Sequence, residues 1–157
     1  TFSVDGNFFL TAAHCVLEEG ELVAVTITDV PGEVWVLNEV LDLAVVKADY
    51  RLPPVKFRKS NPKPGEALWS AGFADTTDIP TIGRHAYSGT FVYPDEGPHG
   101  QMQVWGGFRK GMSGGAVFVS RGRVVGVVQA SNYLNGWSSG LVETLEFLRK
   151  NEVKFRQ

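Results

Sequence analysis

A chain of 157 residues with 43% hydrophobic content is long enough to bury one continuous core without a disulfide or a metal, and it reads as a single soluble domain. Its formal charge of −2, from 17 acidic and 15 basic residues mixed along the sequence, provides no broad field for nucleic acid or an anionic membrane, so neither is expected as a partner. The lone cysteine excludes an internal disulfide, CxxC metal spacing is absent, and no apolar run approaches the ~18 residues of a bilayer span.

In chain order, Phe8–Ala13 is an apolar strand running into small residues. Strands follow at Leu22–Thr28, Val34–Leu37, Leu43–Lys47, Ala67–Ala71, Gly89–Tyr93, Gln101–Val104, Ala116–Val119 and Val124–Gln129, as β-branched and aromatic runs punctuated by Gly, Pro, Asn and Asp. The intervals leave no room for crossover helices, which predicts an all-β, antiparallel architecture. Lys59–Gly65 carries two prolines and a glycine that oppose pairing and reads as a connector. The expected organisation is a first barrel over 1–58, a connector over 59–66, a second barrel over 67–138, and a helix and tail over 139–157. The helix is expected at Leu141–Lys150: Leu141, Leu145 and Leu148 recur at helical spacing, Glu143 lies early, and Arg149 and Lys150 lie late.

Three segments carry chemistry: Thr11-Ala12-Ala13-His14-Cys15, Asp42-Leu43-Ala44-Val45-Val46-Lys47 and Gly111-Met112-Ser113-Gly114-Gly115. A serine hydroxyl is a weak nucleophile at neutral pH and needs an imidazole to take its proton, so Ser113 calls for His14. A carboxylate at Asp42 would orient that imidazole and stabilise the imidazolium. Gly111, two residues before the nucleophile, lets the backbone N–H groups of Gly111 and Ser113 converge on a developing oxyanion. The order His, Asp, Ser excludes hydrolases that run Ser-Asp-His or Asp-His-Ser. This chemistry requires no metal and no organic cofactor.

These three segments resemble those of the trypsin-like (chymotrypsin-fold) serine proteases, and the resemblance runs from about Thr1 to the terminal helix. It implies two six-stranded antiparallel barrels with the triad in the cleft between them, and a serine endopeptidase working through an acyl-enzyme. It also implies that Val124–Gln129 with Ala130 and Ser131 is the edge that pairs with an extended substrate peptide. By the same resemblance the specificity pocket has its base at Gly107 and Phe108, with walls from Gln129, Ala130, Ser131 and the stretch ending at Gly140. No aspartate lies at that base, which disfavours cleavage after Lys or Arg and admits an apolar or aromatic P1 side chain. Arg109 and Lys110, ordinarily solvated loop charges, would instead favour an acidic residue nearby.

The 28 residues from His14 to Asp42 resemble the spacing of HtrA-type and small viral members. Met112 stands where zymogen-activated members carry an aspartate, so activation by an N-terminal salt bridge is not expected. By the family pattern, part of a first strand is expected ahead of Thr1, and the segment is expected to come from a longer precursor or polyprotein, with its compartment open.

Bland readings stand beside these. His85 and His99, among turn residues, are expected to be solvent-exposed and dispensable. Cys15 is expected to be a small buried residue with no nucleophilic role. Trp35, Trp69, Trp105 and Trp137 read as core or rim packing, with Trp105 close enough to the pocket to touch substrate. The competing function is a catalytically silent domain of the same fold that holds peptide, its cleft blocked by a loop such as Pro94–Gly100.

Overall fold

The computed structural model describes residues 1–75, 78–92, 100–132 and 134–157, with backbone only at 90–92. The strands are β1 (Phe2–Asp5), β2 (Phe8–Thr11), β3 (Leu17–Glu18), β4 (Glu21–Leu22), β5 (Val25–Ile27), β6 (Val30–Asn38) and β7 (Leu43–Ala48). After a long connection come β8 (Ala67–Phe73), β9 (Pro80–Val92), β10 (Gly100–Trp105), β11 (Ala116–Phe118), β12 (Val124–Ser131), β13 (Asn135–Ser139) and one helix, α1 (Leu141–Lys150). Every paired strand is antiparallel.

The second half closes as a six-stranded barrel in the order β10-β13-β12-β11-β8-β9, whereas the first is a curled five-stranded sheet, β1-β2-β7-β6-β5, beside a separate β3-β4 hairpin. This is the chymotrypsin-type arrangement expected, with one difference in strand count: the first barrel is a curled half-barrel of five strands, because β3 and β4, two residues each, pair only with one another.

Three apolar cores explain why both halves are stable. One lies within the first sheet, around Phe9, Val16, Ala44 and Val46. A second lies within the barrel, around Leu68, Met102, Met112, Val117 and Val125. The third is shared: Val4, Leu10, Leu43 and Val45 of the sheet meet Val124 and Val127 of β12 and Leu141, Leu145 and Leu148 of α1. Strand β7 thus buries both faces, Leu43 and Val45 into the shared core, Ala44 and Val46 into the sheet's own. That is why its sequence is a continuous apolar run and not an alternation. The helix supplies its apolar stripe to the shared core, each fully buried leucine contributing roughly 1.5–3 kcal/mol by removal from water. Its acidic first turn and basic last turn fit the macrodipole.

Candidate active site

Antiparallel pairing of β2 with β7 sets Thr11 opposite Ala44, so the turn that follows β2 and the turn that precedes β7 lie at the same end of the sheet. The first is a single 3-10 turn, Ala13–Cys15, which presents His14. The second, between β6 and β7, is shaped by Asn38, whose Oδ1 accepts the Leu41 N–H at 2.9 Å, and by the Asp42 N–H donating to the Glu39 carbonyl at 3.2 Å. Asp42 itself closes the turn at φ +50, a left-handed conformation that Asp tolerates better than most residues.

The two turns are joined by two hydrogen bonds to one carboxylate. Asp42 Oδ2 lies 2.8 Å from His14 Nδ1, and Asp42 Oδ1 accepts the His14 backbone N–H at 2.9 Å. A carboxylate only accepts, so Nδ1 carries its proton and Nε2 of the neutral ring is the free lone pair. The hydrogen bond to Asp42, reinforced by Cys15, raises the His14 pKa well above the ordinary imidazole value, with burial opposing.

Ser113 belongs to the other half. The 106–115 loop leaves β10 and enters β11, which are not neighbours in the barrel, so it crosses the barrel mouth past β13 and β12. It is anchored there by Gly106 N–H to the Leu134 carbonyl and Gly114 N–H to the Val128 carbonyl, both 2.8 Å. Two glycines are required by the geometry. Gly111 sits at φ +92 with Asp75 where a Cβ would be, and Gly114 sits at φ +80 with Thr11 Oγ1 and the Ala12 backbone in that place. The close approach of Gly114 to Thr11 and Ala12 brings Ser113 to the His14 turn. The Ser113 hydroxyl donates to the Gln129 carbonyl at 3.4 Å, and among the described residues no hydrogen bond joins it to His14. Neither the Gly111 nor the Ser113 N–H donates to a backbone carbonyl among the described residues, and the Lys110 carbonyl on the other side of that loop accepts the Asp75 N–H at 2.9 Å.

Beside Ser113 opens a cleft of about 580 Å³ lined by Gly107, Phe108, Gly111, Ser113, Ala130 and Ser131, among others, with Arg109 and Lys110 exposed on its loop. None of its lining residues is acidic. Ala130 and Ser131 are exposed and pair with Trp137 and Gly136 of β13; on their other side no strand lies alongside among the described residues. Gln129 and Gly140 are not in this cleft. The Gln129 side chain turns inward, and Gly140 is the residue before α1, its N–H donating to the Gly100 carbonyl at 3.0 Å.

Other sequence readings are corrected here. His85 is buried at 7% exposure, its Nδ1 donating to the Gly106 carbonyl and its Nε2 accepting from Ser70 Oγ, each at 2.7 Å. Its ring meets Phe108 edge-on at 4.9 Å, and Phe108 in turn lies against Gly136. Burial lowers its pKa, the carbonyls of Gly106 and Trp105 opposing. The signal for this was present in the period-2 run Gly83, His85, Tyr87, whose partners Ile82 and Arg84 face out. Cys15 is exposed, not buried. Trp35 and Trp105 are half-exposed, with Trp35 packed on Phe8 and under Lys47. Met112 lies in the barrel core. His99 and positions 94–99 of the suspected blocking loop lie outside the described residues. No described group of three His, Cys, Asp or Glu could hold a metal, and no helix is long and apolar enough to cross a membrane.

Residues 1–127 match the family model of the trypsin-like peptidase domain. No curated protein matches the sequence. Among solved structures, the chain superposes on the Rv3671c protease of M. tuberculosis in its active form with a TM-score of 0.81 at 20% identity, covering 99% of this chain and 74% of that one. It superposes on the serine endoprotease from Yersinia pestis with a TM-score of 0.75 at 19% identity, covering 96% and 56%. The HtrA-type protease AlgW, solved with a decapeptide, gives 0.79 at 20% identity, covering 96% and 50%. At these identities the structural likeness establishes the fold.

Proposed function

The chain belongs to the trypsin-like peptidase family and is a serine endopeptidase, and from that premise we propose that Ser113 attacks the peptide carbonyl while His14 Nε2 takes its proton and Asp42 holds the ring. The observation that carries this reading is the double engagement of Asp42 with His14, because it leaves Nε2 as the ring nitrogen that can take a proton from a nucleophile of the other half. In acylation the Ser113 Oγ–carbonyl bond forms as His14 accepts the hydroxyl proton. Collapse of the tetrahedral intermediate breaks the peptide C–N bond, and His14 returns that proton to the leaving amine. Water then repeats the sequence on the acyl-enzyme. The Gly111 and Ser113 N–H groups receive the oxyanion, one such donor being worth about 2.7–4 kcal/mol.

The Ser113 hydroxyl leaves its long contact with the Gln129 carbonyl to donate to His14, since catalytic bonds of this kind tighten on substrate binding. The raised His14 pKa makes activity climb with pH through the titration of that ring. The acid limb of kcat/KM is thus expected above the ~6.5 of a free imidazole. The substrate lies as an extended strand along Ala130 and Ser131, and its P1 side chain is apolar, since the cleft beside Ser113 presents Phe108, Val128 and Ala130 and no acid, while Arg109 and Lys110, which also line it, favour an acidic residue nearby.

A fluorophosphonate probe tests the assignment. Labelling of Ser113, located by mass spectrometry and lost in both Ser113→Ala and His14→Ala, is the expected result. A folded wild-type protein that takes no label would overturn the catalytic reading in favour of a peptide-holding domain.

A further inference from the structure

Gln129 is 5% exposed, and both ends of its amide are engaged. Its Nε2 donates to the Leu41 carbonyl at 2.7 Å and to the Asp42 carbonyl at 3.2 Å, while its Oε1 accepts from Gln101 Nε2 at 2.8 Å. The orientation of the amide follows from its partners: two carbonyls can only accept, so the nitrogen faces them and the oxygen takes the Gln101 donor. The main-chain carbonyl of the same residue receives the Ser113 hydroxyl. One residue of the closed barrel therefore touches both the backbone of the acid-bearing turn in the open sheet and the nucleophile in its own half.

Two further features show that this contact is built. The ladder between β12 and β13 slips between Val128 and Ala130, so Gln129 is the extra residue of a β-bulge. Two residues on from Val127 of the shared core, Gln129 stands buried on the face of β12 turned to the open sheet, and Ala130 beyond the slip is exposed. On the receiving side, Asp42 stands at φ +50, a conformation that persists where its surroundings over-determine it. The amide bonded to its carbonyl and its predecessor's supplies part of that determination.

We propose that Gln129 is a positioning residue: its buried amide straps the Asp42 turn to β12 and thereby sets where the Asp42–His14 pair stands relative to Ser113. The inference deepens the proposed function and rests on it, because it takes Asp42, His14 and Ser113 as one apparatus. A strap across two sheets is suited to this task, since no strand pairing joins the open sheet to the barrel among the described residues.

Gln129→Met keeps the volume and removes all three side-chain hydrogen bonds; Gln101→Leu keeps the strap and removes the donor that orients it. Each is compared with the wild type by peptide hydrolysis and by the downfield proton resonance of His14 Nδ1–H in NMR. Gln129→Met is expected to lose on the order of tenfold to a hundredfold in kcat, the scale of a misplaced catalytic group. Its kcat/KM should fall in step, as for an interaction used in the transition state, and the His14 resonance should shift or broaden. Gln101→Leu should move both readouts the same way by less. A folded Gln129→Met with unchanged kcat, or with reduced kcat and an unaltered resonance, overturns the proposal; if that variant does not fold, Gln101→Leu decides on the same criteria. Failure of the catalytic reading shows separately, as a wild type that takes no fluorophosphonate, while the resonance still reports whether Gln129 fixes the pair.

Discussion

In the open sheet the candidate side chains, His14 and Asp42, stand on turns pinned by polar side chains: Asn38 shapes one turn and Asp42 ties it to the other. In the closed barrel they stand on a loop whose form is dictated by backbone approach, with Asp75 against Gly111 and Thr11 against Gly114. The cores differ in the same sense. The barrel buries one core made wholly of its own residues, whereas the sheet completes one of its faces with β12 and α1. The half that closes on itself carries its loop by close backbone approach and main-chain hydrogen bonds. A half that does not close depends on hydrogen bonds and on a borrowed hydrophobic surface to keep its groups in place.

This contrast can be broken at the polar turn first. Asp42→Asn preserves shape but lets the carboxamide present an N–H to His14, which turns the ring toward the wrong tautomer. A loss in kcat on the order of 10⁴-fold is expected, with labelling of Ser113 slowed in parallel. The acid limb of the residual activity should move to lower pH, since Asp42 is the main cause of the raised His14 pKa. A limb that stays in place would remove Asp42 from its role.

Next in size, Leu148→Ala cuts into the shared core where α1 supports the sheet, at a cost of about 2–5 kcal/mol in denaturant unfolding. Hydrogen exchange sharpens the comparison: amides of β1, β2 and β7 should lose protection before those of β8, β9 and β10. Equal loss in both halves would show that they do not differ in dependence on the helix.

The smallest expected effect concerns the barrel and has a definite sign. Burial depresses the folded-state pKa of His85, so the unfolded chain binds a proton more readily below about pH 6.5 and stability falls as pH drops through that range. His14 acts oppositely, its raised pKa stabilising the fold at low pH and losing that contribution as pH rises. His85→Gln removes the first term alone, and its unfolding midpoint, compared with wild type between about pH 7.5 and 5, should decline less on acidification.

Much of the site was readable from sequence because its chemistry is local. His14, Asp42, Gly111 and Ser113 each sit in a short segment whose neighbours dictate the turn, and the register of β2 against β7 then brings the first two together. Long-range geometry was less legible. β9 runs from Pro80 to Val92, longer than the expected Gly89–Tyr93, because Gly83, Arg84 and His85 read as turn residues when they are pleated strand with a polar inward face. The closure of the first barrel is a property of strand lengths that β3 and β4 do not reach. Gln129 was expected on the substrate edge, but its side chain is buried against the Leu41–Asp42 turn, a contact between distant segments that composition does not show.

The shared core also orders the molecule in time. Val4 of β1 and Leu145, Leu148 and Val153 at the far end of the sequence pack in one cluster, so the open sheet cannot be secured until the last of these residues has joined it. Contacts so distant along the chain form late, after the loop between them has been closed at the cost of its entropy, whereas the barrel's core draws on a much shorter stretch. On a ribosome the half that carries Ser113 would therefore be shaped before the half that carries His14 is held.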